Sequence, residues 1–211
     1  MIDIKEFKNR RKRLMDMIGS DSIAILPTAS ISIRNRDVEF PFRPDSDFFY
    51  LTGYPEPEAV VVLIPDREEG ECILFCRERD EKIETWHGRR SGLEGAIKIY
   101  AADDAFPIED MDDILPGLIE GHERIYYNMG SDQNFDQRVL GWVNQIRDKV
   151  RTGATAPDEF ISLNHFLHEM RLYKSRYEIK LMRKAAEIST KAHKRAMKNC
   201  RPGMYEYQLE G

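Results

Sequence analysis

Apolar residues recur at helical spacing near the start of the chain. Ile4, Leu14 and Ile18 fall on one face of a helix that begins after Asp3, a typical N-cap residue, and ends before a run of turn residues. A basic run at residues 10–13 lies between these apolar positions. The pattern therefore predicts an amphipathic first helix whose basic run forms its solvent-exposed face.

Short apolar and β-branched runs predict strands in the next part of the chain. The predicted strands cover residues 23–26, 47–52, 59–64, 72–76, 97–100 and 124–127, and two further helices cover residues 110–119 and 131–150, the second capped by Ser131. The run at 47–52 is apolar on both alternating faces, as an interior strand requires. Because strands and helices alternate, the sequence predicts an α/β domain.

The pattern changes near residue 172. Ser175 and Glu178 form a capping box, which predicts the start of a long helix that ends near Asn199. Small residues recur on one face of this helix, and no partner for them is evident in the remaining sequence. A Pro-Gly pair then breaks the helix, and residues 204–211 begin another apolar pattern that is not completed.

Composition and charge narrow the possible functions. The 211 residues are 41% hydrophobic and 33% charged, which is typical of a globular protein with one large domain or one domain and part of a second. The net charge of −5 argues against a general nucleic-acid binder, and no apolar run approaches the length of a membrane span. Without an export signal and with an odd count of three cysteines, the chain is predicted to be cytoplasmic.

No local pattern in the sequence predicts a catalytic centre. His165 and His168 precede a glutamate but do not form a His-Glu-x-x-His motif, and they are interpreted as ordinary surface or partly buried side chains. Cys72 and Cys76 share one strand face and are interpreted as small core residues. Acidic pairs between residues 103 and 113 are interpreted as solvated, and phosphate-loop and serine-hydrolase motifs are absent from the sequence.

One segment has the composition of a contact surface. Trp86, His87, Arg89 and Arg90 surround a glycine just after an acidic stretch. A tryptophan beside arginines is typical of contact surfaces, because both bury much area and arginine pairs with carboxylates through two hydrogen bonds. The alternative is that Trp86 fills the core and the arginines are solvated. The residues alone favour neither interpretation.

Four motifs, in order along essentially the whole chain, resemble the amino-terminal half of the aminopeptidase P family. They are RPDSDFFYLTG at 43–53 with the Pro-Glu-Pro-Glu turn and Val-rich strand that follow it, TWHGRR at 85–90, HEMRLYKS at 168–175 and CRPGMYEY at 200–207. The resemblance implies a mixed β-sheet flanked by helices, of the creatinase and prolidase amino-terminal type, over residues 1–172. It implies that residues 173–211 begin a pita-bread metallopeptidase domain that is incomplete here.

The resemblance also implies an activity. Members of the family are metal-dependent Xaa-Pro aminopeptidases, in which two divalent ions, commonly manganese, bind a hydroxide that attacks the bond between any first residue and proline. The metal ligands of the family correspond to positions beyond Gly211. The 211 residues alone are therefore expected to contain no catalytic residue, to bind no catalytic metal and to cleave nothing.

The resemblance further implies a homo-oligomer, a dimer or a tetramer, to which the amino-terminal domain contributes contacts. By that analogy Trp86 forms part of the wall of the substrate channel, and the substrates are peptides with proline in second place. Arg89 and Arg90 are weaker candidates for substrate-channel or oligomer contacts. Two alternatives stay open at this point. One is a prolidase or a creatinase-like hydrolase, and the other is a non-catalytic protein-interaction module of the same fold.

Overall fold

The computed structural model describes residues 3–210, so Met1, Ile2 and Gly211 lie outside the described residues. In chain order the elements are α1 (Ile4–Ile18), β1 (Ser22–Pro27), β2 (Ile33–Asn35), β3 (Val38–Glu39), α2 (Ser46–Thr52), β4 (Val60–Leu63), β5 (Cys72–Cys76), α3 (Glu81–His87), α4 (Gly92–Lys98), β6 (Asp104–Pro107), α5 (Met111–Ile119), β7 (Arg124–Tyr126), α6 (Gln133–Asp148), β8 (Glu159–Ile161), α7 (Asn164–Leu172), α8 (Arg176–Asn199) and α9 (Glu206–Glu210). Single 3₁₀ turns occur at Ile108–Asp110 and Val150–Thr152. No helix among the described residues is long and apolar enough to cross a membrane.

The described residues divide into two compact units. The first covers Asp3–Met170, and the second begins at Arg171. The assignment of residues 1–172 and 173–211 to two domains stays a prediction.

A six-stranded mixed sheet forms the centre of the first unit, in the order β6-β5-β4-β1-β7-β8. The pairs β1·β7, β7·β8 and β5·β6 are parallel, whereas β4 is antiparallel to both β1 and β5. The predicted mixed α/β class is therefore confirmed. A separate two-stranded hairpin, β2–β3, has all its residues exposed.

Helices cover both faces of the six-stranded sheet because its central strands are apolar on both faces. Along β1, Ala24 and Leu26 pack with α1, α2 and α7 in one cluster, and Ile23 and Ile25 pack with α5 and α6 in the other. Cys72 and Cys76 belong to the first cluster, so their interpretation as core residues is confirmed.

The first helix is confirmed, but the prediction for its basic run is wrong in part. Arg10 and Arg11 are buried, with 6% and 3% of their surface exposed, and only the second half of the run lies in solvent. Arg11 donates hydrogen bonds to the carbonyl oxygens of Leu51 at 3.1 Å and Ala101 at 2.8 Å. Burial is possible because backbone carbonyls satisfy the guanidinium.

The predicted strand at 47–52 is wrong, because this segment is helix α2. The carboxylate of Asp45 accepts hydrogen bonds from the backbone N–H groups of Asp47 and Phe48, both at 2.9 Å, and so caps the helix. Helical spacing then buries Phe48 and Leu51 together, while Phe49 is exposed and Tyr50 is half-buried.

The predicted strand at 97–100 is also wrong, because residues 92–98 form helix α4, with Ala96 buried and Ile97 exposed. The edge strand β6 follows instead at Asp104–Pro107. The helix predicted to begin at Ser131 is confirmed as α6, but its N-cap is Asp132, whose carboxylate accepts from two backbone N–H groups.

In the second unit, the capping box of α8 is confirmed. The Ser175 hydroxyl accepts from the Glu178 backbone N–H at 3.3 Å, and the Glu178 carboxylate accepts from the Ser175 N–H at 2.8 Å. The helix extends to Asn199, and none of its residues is buried.

Candidate functional site at the Trp86 segment

The residues singled out by composition lie in a projecting connection between β5 and α4, here called the Trp86 segment (residues 77–91). Its centre is helix α3, capped at its start by the Asp80 carboxylate and ended by Gly88 at a φ of 85°. No residue of α3 is buried. Trp86 is 86% exposed, so the alternative in which it fills the core does not hold.

One ion pair joins α3 to a flanking residue of the Trp86 segment, and a further hydrogen bond joins the two flanks. The Arg79 guanidinium donates two parallel hydrogen bonds to the Glu84 carboxylate, at 3.0 and 3.1 Å. These bonds lower the pKa of Glu84, with a smaller contribution from the Arg90 backbone N–H. The Arg90 side chain is half-buried and donates to the Glu78 carbonyl oxygen at 3.3 Å, whereas Arg89 is exposed.

At the base of the segment, the carboxylate of Glu56 meets residues from both of its ends. Glu56 accepts from the backbone N–H of Ser91 at 2.7 Å and from the Ser91 hydroxyl at 2.5 Å. Its other oxygen lies 3.2 Å from the Tyr54 hydroxyl and 3.8 Å from the Arg77 guanidinium. Burial, followed by the charges of Cys76 and Glu56, raises the pKa of Tyr54 far above its usual range.

Beside α4 lies an open cleft of about 530 Å³. Residues of opposite charge line it, among them Arg79, Glu94 and Lys98, and the last two are paired at 2.8 Å. Charges that are already paired favour neither an anionic nor a cationic ligand. The feature of this region that is available to a partner is the exposed indole of Trp86 with the exposed guanidinium of Arg89.

The other candidate groups are not brought together into a reactive site. His165 and His168 are both exposed, as their interpretation as ordinary side chains allows. Burial raises the pKa of both the Cys72 and the Cys76 thiols to about 11, so neither is a ready nucleophile or ligand at neutral pH. Within residues 3–210, no group of three or more His, Cys, Asp or Glu side chains could hold a metal ion.

The sequence did not identify Glu56 and Ser91 as parts of this site. Glu56 was assigned only to a turn, and Ser91 carries no local motif. No local signal marks either residue as a partner of the Trp86 segment. Their pairing depends on the register of β4 and β5, which the pattern of a single segment does not specify.

Comparison with known proteins then identifies the family. The family model described as "Aminopeptidase P, N-terminal domain" matches residues 7–126. This chain belongs to the aminopeptidase P family. The Xaa-Pro aminopeptidase of Escherichia coli is 40% identical over 211 residues, which is 100% of this chain and 48% of that enzyme.

Solved aminopeptidase P structures confirm the fold. The Pseudomonas aeruginosa aminopeptidase PepP is 59% identical with a TM-score of 0.96, over 99% of this chain and 47% of that one. A zinc-substituted E. coli aminopeptidase P in complex with product is 39% identical with a TM-score of 0.94, over 100% of this chain and 48% of that one. The chain thus spans about half the length of these relatives. The roles of Trp86, Arg89 and Arg90 stay predictions.

Proposed function

We propose that this chain is the amino-terminal, non-catalytic part of a metal-dependent Xaa-Pro aminopeptidase. The whole enzyme would remove the first residue of peptides that have proline in second place. The observation that carries this proposal is the match to the amino-terminal domain of aminopeptidase P over residues 7–126.

The two divalent ions of the enzyme, proposed to be manganese, would be held by residues other than those described. Among residues 3–210 the side chains do not fit a metal: the Cys72 and Cys76 thiols are buried, and no group of three or more His, Cys, Asp or Glu side chains could hold a metal ion. A relative solved in a zinc-substituted form supports the metal dependence of the whole enzyme but leaves the choice of metal open. This part of the chain therefore contributes shape and contacts rather than a metal ligand.

We propose that Trp86 walls the substrate channel of a homo-oligomer, a dimer or a tetramer, with Arg89 and Arg90 contributing weaker contacts. An indole that is 86% exposed has no packing function within its own unit. Burying it against a partner is favourable because it removes a large apolar surface from water. Arg89 is exposed next to it and can pair with a carboxylate of a peptide or of a neighbouring subunit. We also propose that the enzyme acts in the cytoplasm.

Peptide hydrolysis by the full-length enzyme, supplied with manganese, tests the activity. We expect cleavage of Xaa-Pro tripeptides and longer peptides, with no cleavage by residues 1–211 alone. An enzyme that cleaves only Xaa-Pro dipeptides is a prolidase and contradicts the proposal. Metal binding or peptide cleavage by the 211-residue chain contradicts the non-catalytic assignment.

Replacing Trp86 by Ala in the full-length enzyme tests the contact role. We expect KM for peptides longer than a tripeptide to rise about tenfold, roughly 1.4 kcal/mol of lost binding, or the oligomer to dissociate in size-exclusion chromatography. His87→Ala is the matched control, because His87 is an exposed neighbour on the same helix. If Trp86→Ala changes neither property, the Trp86 segment has no contact role.

A further inference from the structure

The strand register of the sheet explains why the Trp86 segment meets Glu56. In the antiparallel pair β4·β5, Val60 lies opposite Phe75. Residues that precede β4 therefore lie beside residues that follow β5. This brings Glu56 and Glu58 to Arg77, the first residue of the segment, at 3.8 and 3.7 Å.

The carboxylate of Glu56 bridges the two ends of the segment. Ser91, the last residue of the segment, donates to one oxygen through both its backbone N–H and its hydroxyl, and Arg77 lies against the other oxygen. The side chains of Glu56 and Arg77 are each only 14% exposed. Partly buried carboxylates accept strong hydrogen bonds, because little water competes for them.

The Glu56 carboxylate is in turn fixed by the core. Tyr54 donates its hydroxyl to the carboxylate and is itself 0% exposed. The Tyr54 ring packs edge-on against Phe48 and Tyr100, with ring centroids 6.4 and 4.9 Å away. A rigid aromatic cluster therefore determines where the carboxylate lies.

Apart from its covalent attachment to β5 and α4, the segment has few other means of holding its position on the sheet. None of the residues of α3 is buried, so apolar packing contributes little to the location of this helix. The hydrogen bonds of Arg79 to Glu84 and of Arg90 to Glu78 join parts of the segment to one another. They shape the segment but do not join it to the sheet.

We infer that Glu56 is a positioning residue, which clamps both ends of the Trp86 segment to the core and so determines where Trp86 is displayed. The effect of this clamp on peptide hydrolysis rests on the proposed function. The clamp itself does not, because it is a property of residues that lie within this chain.

Amide hydrogen exchange of the 211-residue chain tests the clamp directly. In Glu56→Ala we expect residues 77–91 to exchange at least tenfold faster than in the parent chain, with the strands β1 and β4 unchanged. In Glu56→Gln the exchange rate of residues 77–91 should lie between the rates of the parent chain and of Glu56→Ala, because the amide oxygen still accepts from Ser91. Ser91→Ala removes only the hydroxyl donor, so the exchange of residues 77–91 should rise by less than in Glu56→Ala. This variant tests the clamp if Glu56→Ala does not fold.

The matched control is Glu58→Gln, which removes a charge from the same turn. The side chain of Glu58 is 56% exposed and faces only the Arg77 end of the segment at 3.7 Å. We expect residues 77–91 of Glu58→Gln to exchange at the same rate as in the parent chain. The inference is overturned if residues 77–91 are unprotected in the parent chain, if Glu56→Ala leaves their exchange unchanged, or if exchange rises equally in the strands.

The full-length enzyme connects the clamp to substrate. Glu56→Ala should raise KM for longer peptides by the same factor as Trp86→Ala and leave kcat on a tripeptide unchanged, and the double variant should add nothing further. Additive effects overturn the positioning role. Should Trp86→Ala have no effect at all, the contact role fails, while the exchange result still decides the clamp.

Discussion

At the scale of single residues, the two buried arginines show what a charge pattern leaves undecided. The basic run at 10–13 predicts a solvent-exposed face, yet Arg10 and Arg11 point into the protein. Arg10 lies over the Tyr50 ring, 4.0 Å from its centroid, and donates to the Tyr50 carbonyl oxygen at 3.0 Å. Apart from the Glu6 carboxylate, which accepts from Arg10, the main acceptors are the backbone carbonyls of Tyr50, Leu51 and Ala101, and backbone carbonyls carry no signature in the sequence.

Replacing Arg11 by Met should destabilise the protein by about 3 kcal/mol. The change keeps the aliphatic stem but removes the donors that satisfy the carbonyl oxygens of Leu51 and Ala101. Arg13→Met is the control, since Arg13 is exposed on the same helix and should change stability by less than about 0.5 kcal/mol. Urea unfolding measures both variants, and equal small losses would contradict the role assigned to Arg11.

At the scale of elements, the sequence predicts the long periodic helices and four of the six short apolar strands, and it is wrong at residues 47–52 and 97–100. Helices α1, α6 and α8 and strands β1, β4 and β5 occur where the pattern places them. The seven-residue helix α2 does not, because four apolar side chains in a row, at residues 48–51, fit the spacing of a strand as well as that of a helix. The N-cap Asp45 and the left-handed Gly53 determine that this segment is a helix. Both are local signals that the strand prediction did not take into account.

Gly53 ends α2 in a position that tolerates no side chain, so Gly53→Ala should cost about 2–4 kcal/mol. The residue has a φ of +67°, and a Cβ there would lie 2.7 Å from Cζ of the buried Phe7 ring. Gly121→Ala separates the backbone strain of a positive φ from the contact with Phe7. Gly121 has a φ of +89° with nothing within 4 Å of a Cβ, so it should lose only the about 1–2 kcal/mol of backbone strain. Equal losses in thermal unfolding would exclude the contact with Phe7.

At the scale of the whole molecule, composition singles out the Trp86 segment as a candidate site but does not predict the contacts that hold the segment in place. Trp86 and its arginines are conspicuous in the sequence because large aromatic and guanidinium groups seldom occur together without a contact. Glu56 could not be found in this way, because its partners Arg77 and Ser91 are 21 and 35 residues away along the chain and meet it only through the sheet register. Long-range pairs of this kind require the folded sheet.

The two units should differ in how they resist protease. The unit that begins at Arg171 contains α8, which buries none of its residues, and isolated helices depend on packing for most of their stability. Capping by Ser175 and ion pairs between Glu187 and its neighbouring lysines add only tenths of a kcal/mol to about 1 kcal/mol each. Trypsin should therefore cut after Lys and Arg residues beyond position 171 first and leave a resistant fragment close to residues 1–171.

Removing this unit should also change how the chain behaves in solution. Leu181, Met182, Ile188 and Met197 expose between 44% and 70% of their surface, and exposed apolar surface of this extent promotes association. In size-exclusion chromatography we expect the intact chain to elute as a concentration-dependent oligomer and the trypsin-resistant fragment to elute as a smaller species. Leu181→Glu with Ile188→Glu in the intact chain should reproduce the effect of trimming, whereas Arg183→Glu, on the opposite and charged side of α8, should not. Cleavage that begins within residues 3–170, or association that survives trimming, would show instead that the first unit drives both properties.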